Sequence, residues 1–126
     1  MGTLLQERGL AAGGCPEEMN LVRPEVVASI HRDYVEAGAD IIVTNTFGGS
    51  RIKLAHYGLD PKVHEINARA VEVARAAAAP ETFVGASIGP TGRFLEPVGD
   101  AVFDDMVAVF GEQVRAFAAA GADLIT

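Results

Sequence analysis

Two rhythms of apolar and polar residues run along this chain, and each change of rhythm marks an element. Between Pro24 and Gly38, the apolar residues Val27, Ile30, Tyr34 and Ala37 recur at helical spacing. Pro24 suits the first turn of a helix, and Glu25 suits the positive end of its dipole. Gly38 stops that helix. Ile41 to Thr44 then follow as four consecutive β-branched residues. A short apolar run between glycines predicts a strand buried on both faces, as in a parallel sheet. Gly48-Gly49 turns the chain, and Ser50 is placed to cap a short helix reaching Tyr57 and closed by Gly58.

Asp60-Pro61 reads as a helix cap followed by a first helical position. Val63, Ile66, Ala70, Val73, Ala74 and Ala77 form one stripe, and Pro80 ends that helix. Phe83 to Ile88 reads as a second strand, which runs into the small polar loop Gly89-Pro90-Thr91-Gly92. Residues Arg93 to Gly99 read as irregular. Asp100 is placed to cap a last helix whose apolar face is Phe103, Met106, Val107, Phe110, Val114 and Phe117. Gly121 stops it, and Asp123 to Thr126 begin a third strand. Ahead of Pro24, a loop at Gly2-Thr3 enters a short helix through Leu4 and Leu5 that stops at Gly9. Ala11 to Asn20 contains Gly13, Gly14 and Pro16 and reads as a surface loop.

The run Ala37-Gly38-Ala39-Asp40-Ile41-Ile42 recurs as Ala120-Gly121-Ala122-Asp123-Leu124-Ile125. Repeated βα units produce such an echo. So does the general taste of helix-to-strand turns for Gly and Asp. Strict alternation of helices and strands predicts an α/β fold with a parallel sheet. Three strands cannot close into a (β/α)8 barrel, which takes about 250 residues. The chain begins at a Gly-Thr that resembles the end of a strand's loop and ends inside an apolar run. It is therefore expected to be part of a larger domain, truncated at both ends.

Composition narrows the class. The 126 residues are 49% hydrophobic and 21% charged, enough for a packed core. A formal charge of −7, with Lys and Arg scattered, argues against a nucleic-acid surface. No apolar run approaches the roughly 20 residues that span a bilayer, so no membrane partner is expected. The single cysteine, Cys15, excludes an internal disulfide and suits a reducing cytoplasm.

The candidate chemistry sits at the strand ends, where α/β folds bind ligands. Thr44, Asn45 and Thr46 carry amide and hydroxyl groups suited to the amino and carboxylate groups of a small ligand. The same residues also satisfy backbone groups at ordinary turns. Ser87, Gly89 and Thr91 present the same two readings, ligand loop or plain Pro-Gly turn. No phosphate-binding Gly-Lys-Ser/Thr or dinucleotide fingerprint is present. His31, His56 and His64 are expected on helices, at the surface or partly buried, with no metal site. Acidic neighbours Glu17 and Glu18 would raise the Cys15 thiol pKa, which makes it a structural thiol.

Four stretches taken together resemble the homocysteine S-methyltransferase family. They are Met1-Gly2-Thr3; Asn20-Leu21 with Pro24-Glu25-Val26-Val27; Gly38-Ala39-Asp40 through Thr44-Asn45-Thr46-Phe47-Gly48; and Gly89-Pro90-Thr91-Gly92. Asn45 to Gly48 with Arg51, Lys53-Leu54 and Tyr57-Gly58-Leu59 is most similar to the homocysteine-binding module of the cobalamin-dependent methionine synthase branch. The resemblance implies a (β/α)8 barrel, about half of it in residues 1–126, binding homocysteine at the carboxyl ends of its strands. It implies a zinc ion on three cysteine thiolates that holds the substrate sulfur as thiolate. Those cysteines have no counterparts here, and Cys15 matches none of them. Cobalamin and methyltetrahydrofolate would act through other modules. The family's substrate-binding positions carry over as Gly2, Thr3, Thr44, Asn45, Thr46, Ser87, Gly89 and Thr91, and no catalytic or metal residue carries over. The chain alone is expected to be inactive. The alternative is a non-catalytic half-barrel that binds a ligand or self-associates through its open sheet.

Overall fold

A computed structural model describes all residues, 1–126. Three parallel strands, β1 (Ile41–Val43), β2 (Phe83–Ala86) and β3 (Leu124–Ile125), lie in that order in one sheet. The register sets Ile42 opposite Val84, and Gly85 opposite both Val43 and Leu124. Six helices accompany the sheet: α1 (Gly2–Glu7), α2 (Met19–Val22), α3 (Pro24–Glu36), α4 (Arg51–Ala55), α5 (Val63–Ala77) and α6 (Phe103–Ala120). Each crossover from strand to parallel strand runs through a helix, as parallel pairing requires.

Burial follows chemistry most closely in α5. All six residues of its expected stripe are buried, joined by Val71 and Asn67. Val71 and Ala74 pack with Ile42, Val84, Ala86 and the fully buried Phe117 of α6. A side chain such as Phe117 contributes roughly 1.5–3 kcal/mol through burial. A second cluster joins Leu5, Met19, Val27, Ile30 and Val73, and so ties α1, α2 and α3 to α5.

The sequence echo has a structural basis. Gly38 and Gly121 both have positive φ, +90° and +82°, where a helix turns into a strand. The two aspartates then diverge. The carboxylate of Asp123 accepts a hydrogen bond from Val84 N–H at 2.7 Å and pairs with Arg75. Those contacts hold its pKa below the usual carboxylate range, the Val84 bond contributing most. Asp40 is exposed and makes no side-chain hydrogen bond.

Several expectations change. β1 is buried on one face only: Ile42 is buried, while Ile41 and Val43 are exposed. The residues pointing to the other side of the sheet have no layer over them. β2 ends at Ala86, before Ile88. Gly2 and Thr3 belong to the first turn of α1 and not to a loop before it. The stretch before Pro24 is no surface loop, because Cys15, Glu17, Met19 and Asn20 are buried and Met19–Val22 is helical. Ser50 does cap α4, accepting from Lys53 N–H. Asp60 is not a cap but lies inside a 3-10 turn, Asp60–Lys62. Asp100 does not cap α6 either; Val102 precedes that helix, and Asp100 pairs with Arg93. On α6 only Phe117 of the expected face is buried, with Phe103 and Val107 exposed. On α3, Tyr34 and Ala37 are exposed. No helix is long and apolar enough to cross a membrane.

Candidate functional site

A cavity of about 580 Å³ opens where β1 and β2 end, and it runs down the free side of β1. Gly2, Thr44, Asn45, Thr46 and Ser87 line it, as do Glu17 and His31 from elements outside the sheet.

Its rim is built by a closed circuit of hydrogen bonds. Ser87 N–H donates to Thr44 Oγ1 at 3.1 Å. The two threonine hydroxyls lie 2.6 Å apart, and Thr46 Oγ1 donates to the Ser87 carbonyl at 2.7 Å. Thr46 gives its one hydroxyl proton to Ser87, so Thr44 must donate to Thr46. The circuit ties the end of β1 to the end of β2 and uses both threonine protons. The side chain of Ser87 takes no part, and its hydroxyl is free of protein partners.

Asn45 is held from the other side. Its Nδ2 donates to the Pro16 carbonyl at 2.6 Å and to Asn20 Oδ1 at 3.3 Å. Asn20 returns a bond from its Nδ2 to the Asn45 carbonyl at 2.8 Å. The buried carboxylate of Glu17 accepts from Gly48 N–H at 2.7 Å. That approach needs glycine, since a Cβ at Gly48 would lie 2.8 Å from Glu17 Oε1. Behind the rim, Gln113 Nε2 reaches the Thr46 carbonyl and Asn67 Oδ1, and Asn67 Nδ2 donates to the Gly49 carbonyl. The loop after β1 is therefore gripped by α2, α5 and α6 together.

The remaining expected positions lie elsewhere. Gly89 is buried behind Phe47: its N–H donates to the Phe47 carbonyl at 3.0 Å, and a Cβ there would meet that oxygen at 2.3 Å. Thr91 belongs to a separate open cleft beside Lys53, His56 and Arg93. Thr3 is exposed on α1 and lines neither cavity.

Of two strongly shifted titratable groups, one departs from expectation and one agrees with it. His31 is neither at the surface nor merely partly buried. It is 1% exposed, lines the cavity, and its Nε2 has no hydrogen-bond partner. Burial, helped by the nearby Met1 ammonium, pushes its pKa down to about 4, so the imidazole is neutral at pH 7. Nothing at sequence level separates His31 from His56 and His64, which are exposed. Cys15 is pushed up to about 11, as expected in direction, by burial first and then by the Glu17 carboxylate, against the lowering effect of a hydrogen bond from the Glu18 backbone. No three His, Cys, Asp or Glu side chains converge on one point.

Comparison with known proteins matches this architecture. A family model described as homocysteine S-methyltransferase matches residues 1–126. Methionine synthase from Mycobacterium leprae is 34% identical over 139 aligned positions, covering 99% of this chain and 11% of that protein. The metallated form of the homocysteine methyltransferase MmuM from Escherichia coli superposes with a TM-score of 0.83 at 28% identity. Its oxidised form superposes with a TM-score of 0.84 at 26% identity. Those alignments cover 99% of this chain and 50% and 49% of the two MmuM chains, so the chain spans about half their length. Its parallel βα units make up about half of a (β/α)8 barrel. The chain belongs to the homocysteine S-methyltransferase family.

Proposed function

We propose that these residues form one side of a homocysteine pocket, and that the whole protein transfers a methyl group to the homocysteine sulfur to give methionine. One observation carries this reading. Five of the eight positions implied by family likeness, Gly2, Thr44, Asn45, Thr46 and Ser87, line one cavity at the strand ends. The free Ser87 hydroxyl and the Asn45 Oδ1 serve the polar groups of the amino acid. Thr44 and Thr46 hold the rim in shape, and the exposed Phe47 ring covers the aliphatic part. Gly89 lets the second loop close on Phe47, Thr91 holds its own loop by accepting from Arg93 N–H, and Thr3 lies outside the cavity on α1.

Methyl transfer forms a sulfur–carbon bond as the bond from methyl to its donor breaks, and the thiol proton must leave first. A free thiol, with a pKa of about 8.5, is mostly protonated at neutral pH. The residues of this chain do not fit the zinc ion that family resemblance implies. No ligand set converges, and Cys15 is buried, protonated and outside the cavity. The zinc ligands therefore belong to other parts of the whole protein, as would cobalamin and methyltetrahydrofolate in the methionine-synthase-like case. A cytoplasmic location suits the lone thiol.

Titrating L-homocysteine into the ¹⁵N-labelled chain tests the reading. Weak, saturable shifts are expected at Gly2, Thr44 to Phe47 and Ser87. Ser87→Ala should weaken binding about fivefold, the effect of one lost hydrogen bond. Shifts elsewhere, or none, would overturn it. Tight stoichiometric zinc binding by these residues would overturn the placement of the metal.

A further inference from the structure

We propose that the open cleft between α4 and the loop after β2 is a second binding site, for the oxyanion of a small ligand, a phosphate or a carboxylate. It lies apart from the strand-end cavity, and the inference does not rest on what binds there.

Four residues that stand out in the sequence have no part in the strand-end cavity. Thr91 and Gly92 belong to the second polar loop, yet neither lines that cavity. Arg51 and Lys53 follow the Asn45 to Gly48 stretch, and they do not line it either. All four come together in the second cleft, of about 600 Å³.

The first observation is charge. The chain carries a formal charge of −7, but this cleft is lined by Arg51, Lys53 and Arg93 against a single acid, Asp60. Two of the three cations are already engaged. Arg51 pairs with Glu112 and also feels the charge of Asp60. Arg93 pairs with Asp100 at 3.0 Å. Lys53 differs from both. It is half-buried, and its ammonium has no ion-pair or hydrogen-bond partner in the protein. A cation drawn partly out of water is stabilised when an anion meets it.

The second observation is in the backbone. Thr91 is buried, and Gly92 has a φ of +81°. The N–H groups of both residues bond to no protein acceptor, whereas the next one, Arg93 N–H, donates to Thr91 Oγ1 at 3.2 Å. A backbone donor on a buried residue calls for an acceptor. Successive N–H groups at a turn form a concavity that holds anions. Glycine also lets Lys53 come close to this turn, since a Cβ at Gly92 would lie 3.4 Å from Lys53 Nζ. One ammonium and two free N–H groups thus belong to the same cleft. All three are donors, and an oxyanion accepts from each of them.

The test titrates sodium phosphate, and in a separate series sodium acetate, into the ¹⁵N-labelled chain at an ionic strength held constant with sodium chloride. Saturable shifts are expected at Lys53, Thr91 and Gly92, with Thr44 to Thr46 unmoved. The tighter of the two anions tells which ligand group the cleft takes, phosphoryl or carboxylate. Lys53→Met keeps the apolar stem and drops the charge. It should weaken binding about tenfold or more, the effect of one lost hydrogen bond to a charged group. Lys53→Arg should restore most of that loss. Shifts that rise without saturating, or that chloride alone reproduces, would overturn the proposal. So would saturable binding that Lys53→Met leaves unchanged.

Discussion

The two strand ends look alike in sequence and differ in construction. After β1 come Thr44, Asn45 and Thr46; after β2 come Ser87, Gly89 and Thr91. Both stretches are small, polar and glycine-bounded. The first is buried, and its groups are bonded to Pro16 and Asn20 from one distant segment and Gln113 from another, with Glu17 accepting from Gly48 N–H just beyond. The second runs into a loop in which every residue from Gly92 to Asp100 is exposed. That loop is held by the exposed Arg93–Asp100 pair and by local backbone bonds such as Gly99 N–H to the Leu95 carbonyl. Residue type announces hydrogen-bonding capacity; the segments that arrive from far along the chain decide whether it is spent on the fold or kept for a ligand.

The largest test of this contrast is acid. The β1 side contains a neutral buried histidine, and folding holds the His31 pKa at about 4 against about 6.5 when unfolded. Between those values the unfolded chain binds a proton that the folded chain refuses. Stability contributed by neutral His31 is therefore complete above about pH 6.5 and declines as pH falls toward 4. The full loss is about 3 kcal/mol. Urea unfolding at pH 7 and pH 4.5 measures it, and His31→Phe should remove most of the pH dependence in this window. An unchanged slope in that variant would mean that His31 is already accessible to protons in the folded chain.

Next comes a matched pair of substitutions. Thr46→Val keeps the shape but leaves the Ser87 carbonyl without its donor and the Thr44 hydroxyl without its acceptor. That should cost about 2 kcal/mol, the penalty for stranding buried polar groups. Thr91→Val removes a contact to Met106 Sδ at 3.7 Å and an acceptor for Arg93 N–H at 3.2 Å, and Arg93 itself is exposed, so its N–H can turn to water. It should cost about 1 kcal/mol or less. Equal shifts in the urea midpoint would erase the distinction between the two ends.

Much of the fold could be read before the structure, because its signals are local. Helix α5 follows from a stripe at helical spacing, α4 from a serine cap, and both helix-to-strand turns from glycines that take positive φ. The family was carried by short motifs along nearly the whole chain. What the sequence hid was non-local. Asn20 and Glu17 lie in a stretch full of Gly and Pro, and only folding brings them under Asn45 and Gly48. His31 sits on the same kind of helix as His64, and its burial depends on what packs over it. Asp60 and Asp100 precede helices as caps do, yet each takes another place: Asp60 in a tight turn, Asp100 beside Arg93. The apolar residues Ile41, Val43, Phe103 and Val107 promised burial, but no layer of this chain reaches them.

The smallest expected effect is also the sharpest check on the second loop. Arg93 and Asp100 pair at 3.0 Å with side chains 53% and 78% exposed. Exposed pairs gain little, because water screens the attraction and two long side chains lose freedom in making it. Arg93→Ala should therefore change stability by no more than about 0.5 kcal/mol, and less still in high salt. Amide exchange of Phe94 to Gly99 should rise while that of Thr44 to Gly49 stays fixed, since no bond connects the pair to the first rim. A loss above about 1 kcal/mol, or faster exchange at Thr46, would show the two strand ends to be one cooperative unit. The contrast between a rim locked by distant segments and a loop held by itself would then fail.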